Sequence, residues 1–366
     1  MLMKKLFNRA KEFYEKYELY FMPAAFVVGF TWDNLTFKRI DLWFENIILA
    51  SYLALILAGI IFVNFQEARR PKFQPGETGA ILVPYLMQFA FGGIFSGFFV
   101  FYSRSAAISS SWPFLLFLLG ILIGNEFFRS RYSRFTFQIS VFFIALFSYA
   151  IFIIPVLIGK MGADIFLISG LASIAALSLI LLFIKALMPI HYKQSWASLL
   201  LVIPTIFITF NLLYFTNIIP PIPLSLKEIG IYHAVTKTGP STYRLEYEPQ
   251  KKLWFFEPAS YVFSRYDNRA VYVFGSVFAP TKLNTEIYHR WEYFDGTKNK
   301  WISMQRPSYG ISGGRDGGYR GWTRRQNPTP GKWRVSVETA RGQIIGRIKF
   351  TVIDADAPPK TLTRIK

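Results

Sequence analysis

The sequence predicts an α-helical polytopic membrane bundle of about seven spans, followed by an all-β, immunoglobulin-like sandwich. Three observations carry that prediction. Long apolar runs rich in Phe, Leu and Ile fill the chain from about Leu19 to Pro220. Beyond Glu228 the period changes from helical to alternating, and charged residues, Trp and Tyr take over. Between the two halves, NIIPPIPLSLKEIG sets three prolines within four residues, which no helix can continue.

Taken in order, KKLFNRAKEFYEKYELYF places Leu6, Ala10, Phe13 and Tyr17 on one helical stripe among Lys and Glu. Residues 1–18 therefore read as a cytoplasmic amphipathic helix at the interface, not as a cleavable signal peptide. A spanning helix needs about 20 mostly apolar residues. Candidates lie near 20–37, 44–64, 81–102, 108–126, 136–158, 164–187 and 196–216. The first is interrupted by Pro23, Gly29, Asp33 and Asn34. Residues 19–217 thus form the predicted bundle, 218–227 a stiff linker and 228–366 the β-domain.

Cations set the expected orientation. Lys4, Lys5, Arg9, Lys11 and Lys16 precede the first span. Arg69, Arg70 and Lys72, then Arg129, Arg131 and Arg134, then Lys185 and Lys193 occupy loops on the same side. The alternate loops carry only Lys38, Arg39, Arg104 and Lys160. The positive-inside rule puts the N-terminus in the cytoplasm and, after seven crossings, the β-domain outside. Within the bundle, Gly93 and Gly97 form a GxxxG pair, and Ser169, Ala172, Ser173 and Ala176 a second small-residue face. Both are read as helix-packing surfaces. Few polar residues lie deep in the spans, which argues against an ion-coupled transporter. Asp33, Asp41 and Glu45 gather at helix ends, where an outer acidic rim could dock a basic domain or meet water.

In the second half, IYHAVTKT, AVYVFGSVFAP, EIYHRWEYFD, KWISMQR, YRGWTRR, KWRVSVET and QIIGRIKFTVI each alternate as strands do, with turn signals between them. Such a series, without helical periodicity, predicts one antiparallel sandwich. Trp333, Val335, Val337, Ile345 and Ile348 or Phe350 are the expected inward positions of its closing hairpin, with the turn at Arg341-Gly342. Trp333 and Trp291 are the expected core tryptophans; Trp254, Trp301 and Trp322 add further flat apolar faces.

Chemistry is sparse. With Cys 0 there is no disulfide and no thiolate metal site. His191, His233 and His289 are too scattered for a metal site with ordinary spacing, and His289 reads as a satisfied strand histidine. Glu286 and Glu292 share a strand face but stand about 20 Å apart by strand rise, too far to share a scissile bond. No catalytic residue and no cofactor is therefore expected. Charge is the positive signal: from Glu228 onward about 23 Lys+Arg face about 12 Asp+Glu, an excess that positive-inside bias does not explain. The segment ISGGRDGGYRGWTRRQNPTPGKWRV concentrates it. Gly313, Gly314, Gly317 and Gly318 could turn backbone N–H groups toward an anion, and Arg315, Arg320, Arg324 and Arg325 could add bidentate donors. Alternatively those glycines only shape a long turn. Strand alternation puts Arg320 and Trp322 on one face and Arg325 on the other, so the four arginines do not all share a ligand.

The segments YHRWEYFDG, GGRDGGYRGWT and PGKWRVSVETARGQIIGRIKFTV resemble the module called domain of unknown function 2914, found in bacterial envelope proteins. GFTWDNLTFKRID is similar to the multi-span region that accompanies the module in some of them. The resemblance implies a bacterial inner-membrane protein with a periplasmic β-domain, and no reaction. The expected partners are the lipid bilayer, anionic lipid or glycan, and other envelope proteins, with no nucleic acid. Binding of anionic envelope components is the leading function. An envelope scaffold or protein-interaction module is the alternative, and a membrane enzyme acting on a lipid-linked substrate the second.

Overall fold

The computed structural model describes residues 30–37, 41–69, 78–105, 108–127, 134–221, 223–250, 260–281 and 283–366. A helix over 30–36 precedes six longer ones: α1 (Trp43–Arg69), α2 (Thr78–Ser105), α3 (Ile108–Phe127), α4 (Phe135–Ile158), α5 (Ala163–Leu187) and α6 (Pro189–Phe215). Five helices are long and apolar enough to cross a membrane: Trp43–Ala68, Leu86–Ser105, Phe135–Ile158, Ala163–Leu187 and Pro189–Phe215. The apolar part of α3, Ser111–Gly124, is shorter. The predicted helix over 1–18 and most of the predicted first span lie outside the described residues.

Two compact units divide the chain: Met1–Phe101, Leu118–Tyr149 and Leu177–Val202 form one, and Tyr102–Phe117, Ala150–Ala176 and Ile203–Lys366 the other. In the first, the GxxxG pair works by close approach. A Cβ on Gly93 would stand 2.6 Å from the Tyr52 ring, and one on Gly97 would stand 3.0 Å from Leu49. The buried amide of Asn64 on α1 donates to Gln138 Oε1 on α4 at 2.6 Å, pairing two polar groups that lipid would not solvate. The serines of the second small-residue face are buried and bond their own helix, Ser169 to Ile165 O and Ser173 to Gly170 O.

The second unit joins the ends of several helices to the β-domain. Asn217, with φ of 60°, adopts the left-handed conformation after α6, and the N–H groups of Ile218 and Ile219 both turn back to Leu213 O. Twelve strands follow: β1 (Ser225–Tyr232), β2 (Ala234–Lys237), β3 (Tyr243–Tyr247), β4 (Tyr261–Arg265), β5 (Val271–Phe278), β6 (Asn284–Asp295), β7 (Lys300–Gln305), β8 (Ser308–Ser312), β9 (Tyr319–Arg325), β10 (Gly331–Thr339), β11 (Ile344–Asp354) and β12 (Leu362–Ile365). One sheet runs β1-β5-β9, a second β4-β11-β10-β6-β7 with β8 also on β6, and a small third β12-β3-β2. The first two share a core of Ile231, Val271 and Val273 against Trp291, Trp333, Val335, Ile348, Phe350 and Val352. The hairpin reads as expected, with Trp333, Val335, Val337, Ile345, Ile348 and Phe350 all buried.

Two expectations are corrected. The sheets are not purely antiparallel, because β4 pairs β11 in parallel. The linker is also shorter than 218–227, since β1 begins at Ser225, directly after the prolines.

Candidate functional site

Every second residue on the central strands of the large sheet points away from the core, and Arg290, Glu292, Arg334, Glu338, Arg347 and Lys349 fall at such positions. Register puts Arg334 opposite Glu292 and Ser336 opposite Arg290 on β6, with Lys349 and Arg347 as their partners on β11. Arg334 grips Glu292 with two bonds, Nε to Oε2 at 2.6 Å and Nη2 to Oε1 at 2.9 Å, while its guanidinium lies 4.4 Å from the Trp301 ring centre. Glu338, 1 % exposed, accepts from Arg306 Nε at 2.6 Å and faces Arg290 at 3.2 Å. Arg347 Nε donates to Ser336 Oγ at 2.9 Å. Burial opposes ionisation of Glu292, but Arg334, Arg290 and Arg347 win and hold its carboxyl below the usual range. Four guanidinia thus surround two carboxylates, and the row keeps a positive excess.

At one end this row opens into a cleft of 710 Å³ between β1, β4 and β11. Tyr232, Tyr247 and Tyr261 line it, as do Arg347 and Lys349. Inside, His233 Nε2 lies 2.6 Å from Glu248 Oε1, and its ring stacks on Phe263 at 4.3 Å. Ser264 donates to the same carboxylate from its backbone N–H at 2.7 Å and its hydroxyl at 2.8 Å. Burial raises the Glu248 pKa, yet these bonds outweigh it and leave the carboxyl below its ordinary value.

The arginine loop lies elsewhere in the domain. Arg315 Nη1 donates to Ser241 Oγ at 3.0 Å and Arg320 Nη1 to Ser241 O at 2.5 Å, so those two converge. Arg324 is exposed on the same strand face as Arg320 and Trp322, whereas Arg325 turns inward, bonding Gln305 at 3.3 Å beside the Trp333 ring. The glycines serve the turn. Gly313 N bonds Leu283 O, Gly314 N bonds Ala279 O and Gly318 N bonds Arg315 O, so these amides are committed to backbone carbonyls. A Cβ on Gly313 would fall 1.6 Å from Pro280 O, while Gly317 has open space around it. Gly318 meets β5 closely, and Ser276 Oγ donates to Gly317 O.

The acids Asp33, Asp41 and Glu45 belong to the other unit. Glu45 is buried at 3 % exposure, and Asp33 and Asp41 are half-buried. His289 is fully buried between its Nδ1 partner Thr323 at 2.8 Å and the Tyr309 hydroxyl at 3.1 Å; Trp291 Nε1 donates to the same Thr323 oxygen at 3.0 Å. Burial pushes its pKa down to about 3, so it is neutral and structural. Among the described residues no group of three or more His, Asp or Glu side chains is placed to hold a metal. Trp254 lies outside the described residues.

Residues 284–352 match the family described as Protein of unknown function (DUF2914). The chain carries a DUF2914 module. The module contains both carboxylates of the charged row, Glu292 and Glu338, and the guanidinia of Arg290, Arg306, Arg334 and Arg347. The arginine loop also falls within it. No curated protein matches. A solved structure of Pseudomonas fluorescens alkylpurine DNA glycosylase AlkC, bound to DNA containing an abasic site analog, aligns at 9% identity over 87% of this chain and 99% of that one. Its TM-score of 0.21 is too low to carry any argument about fold or function.

Sequence reasoning missed the charged row and the cleft. The signal for the row was present: Arg290 and Glu292, then Arg334, Ser336 and Glu338, then Arg347 and Lys349 alternate with the very residues read as core. The cleft had no comparable signal, because β4 and its register on β11 were not read from the sequence.

Proposed function

We propose that this is an inner-membrane protein with a cytoplasmic N-terminus, anchored by about seven spans, whose periplasmic β-domain binds anionic envelope components, lipid head groups or acidic glycan. The observation that carries the reading is the charged row of the DUF2914 module, where Arg290, Arg306, Arg334 and Arg347 outnumber Glu292 and Glu338 on one sheet face. Planar guanidinia offer paired donors to phosphate and carboxylate. The loop arginines Arg315, Arg320 and Arg324 are proposed as a second, separate basic surface at the other sheet, with Asp33, Asp41 and Glu45 proposed as an outer acidic rim. The grouping of the ends of α2, α4 and α6 with the β-domain favours this sidedness, although Asp33, Asp41 and Glu45 fall in the other unit.

The test uses the full chain in zwitterionic nanodiscs and vesicles rich in phosphatidylglycerol. Association is expected to fall steeply with salt and to weaken when Arg315, Arg320 and Arg324 are replaced together by Gln. Association that ignores both salt and the substitutions refutes the reading.

A further inference from the structure

The cleft and the charged row meet at Arg347, and that meeting narrows the ligand. We propose that the cleft between β1, β4 and β11 is a binding site for a small ring-bearing organic anion, a sugar acid or sugar phosphate, whose charged group docks on Arg347. The proposal rests on the reading of the β-domain as an anion binder and assigns it one site.

Size comes first. A volume of 710 Å³ falls within the range of about 300–1,000 Å³ typical of small-molecule sites. Charge comes second. Four cations line the cleft, Lys227, Arg347, Lys349 and Arg364, against two carboxylates, Glu228 and Glu248. Both carboxylates are already engaged: Glu248 with His233 and Ser264, and Glu228 with Lys366 at 2.8 Å and Arg364 at 3.8 Å. Arg364 is thereby committed to Glu228, and Lys227, Arg347 and Lys349 are the other lining cations.

Arg347 is the most buried of these cations that has no direct carboxylate contact among the described residues. It is half-buried, and among the described residues its one hydrogen bond is to a neutral hydroxyl, Ser336. Its neighbours Arg334 and Arg290 contact Glu292 and Glu338 directly; among the described residues Arg347 makes no such direct contact, and both carboxylates reach it only through space. Desolvation first, then Arg334 and Arg290, hold its guanidinium pKa below the ordinary value against the opposing pull of Glu292 and Glu338. An anion in the cleft relieves that situation, because a desolvated guanidinium gains most from a charged acceptor.

The walls decide between a small molecule and a peptide. An extended peptide would need the free edge of β4 for strand addition. That edge is closed by side chains. Gln250 donates to Val262 O at 2.9 Å and accepts from Val262 N at 3.0 Å, and Glu248 accepts from Ser264 N. What the cleft still offers is tyrosine rings beside Arg347 and Lys349, a combination suited to a polar ring bearing one charge.

The experiment is calorimetric titration of the full chain in zwitterionic nanodiscs with glucuronate, glucose 1-phosphate and uncharged glucose. Binding of either anion without binding of glucose is expected, and which anion binds identifies carboxylate or phosphate. Arg347→Gln is expected to weaken binding about tenfold or more, the scale of losing a charge-assisted pair. Lys349→Gln, at an exposed position of the row with no ion pair among the described residues, is expected to weaken it less while leaving the fold intact. Lys300→Gln, at an exposed position of β7 that does not line the cleft, should change nothing. Wild-type affinity in a folded Arg347→Gln chain, or equal binding of glucose, overturns the proposal. If neither anion binds but the chain still captures phosphatidylglycerol vesicles in a salt-dependent way, the cleft assignment fails alone. If vesicle capture is absent as well, the broader reading fails with it.

Discussion

Lowering the pH from about 7.5 to about 4.5 is expected to cost the β-domain about 2.5 kcal/mol through His289 alone. The side chain is fully buried, and burial pushes its pKa down to about 3, against an ordinary value near 6.5. The folded state therefore keeps His289 neutral across this range, while the unfolded chain takes up a proton. A group with a depressed folded pKa contributes stability that is complete above its unfolded pKa and is lost as pH falls toward the folded one. Each pH unit well below about 6.5 removes about 1.4 kcal/mol, which over this interval gives the figure above. Glu248 and Glu292 also have depressed values, but their contributions fade only below the ordinary carboxylate range near pH 4.5. The perturbation is His289→Gln, which keeps a donor and an acceptor for Thr323 and Tyr309 but does not titrate. The assay is urea unfolding of the full chain in detergent, followed by tryptophan fluorescence at a series of pH values. The wild-type chain should lose stability with acid more steeply than the variant, by about the stated amount. Parallel pH profiles would mean that His289 is protonated in the fold or not buried, and would refute the reasoning.

Trp333→Ala is expected to destabilise the β-domain by about 3–5 kcal/mol in the same urea assay, because the side chain is 1 % exposed and packs on Tyr293; an unchanged midpoint would contradict its core position. In the arginine loop, Gly313→Ala should lower stability by about 2 kcal/mol or more, since its Cβ would strike Pro280 O, whereas Gly317→Ala should stay within about 0.5 kcal/mol. Equal effects at the two positions would show that the turn is not shaped by that backbone approach. Alkaline phosphatase fused after Lys227 should be active if the β-domain is outside, and a silent fusion would reverse the proposed orientation.

Legibility in the sequence followed the length and regularity of each pattern. Apolar runs such as that of α4 announce themselves because a membrane-sized stretch leaves no room for another reading. The hairpin of β10 and β11 was equally plain, with Trp333, Val335 and Val337 alternating and Gly342 at the turn. Strands β3, YRLEY, and β4, YVFSR, were passed over because five residues hold too little alternation to stand out. With β4 went its parallel pairing to β11, a contact between residues 89 apart (Arg265 and Asp354) that no local pattern encodes. The arginine loop drew notice through local density, yet its glycines are explained by Pro280 and by the main chain of β5, which lie outside the segment itself. Arg347 looked ordinary in GRIKF. Its setting depends on Ser336, Arg334 and Arg290, which reach it from two other strands.

The turn between β10 and β11 does more than reverse the chain. Arg341 lies 4.2 Å from the Tyr214 ring centre and 5.1 Å from that of Phe215, Asn217 Nδ2 donates to its carbonyl at 3.4 Å, and Gln343 Nε2 donates to Ile219 O at 3.3 Å. Tyr214 in turn stacks on Phe166 of α5 at 3.7 Å. The hairpin tip is thus bolted to the end of α6, and β11, which begins at Ile344, carries Arg347 in the cleft four residues into the strand. A β-strand is stiff along its length, and those four residues span about 10 Å. The domain does not hang from its proline tether like a weight on a string. It is braced, with β11 lining the cleft and the turn before it held against two helices.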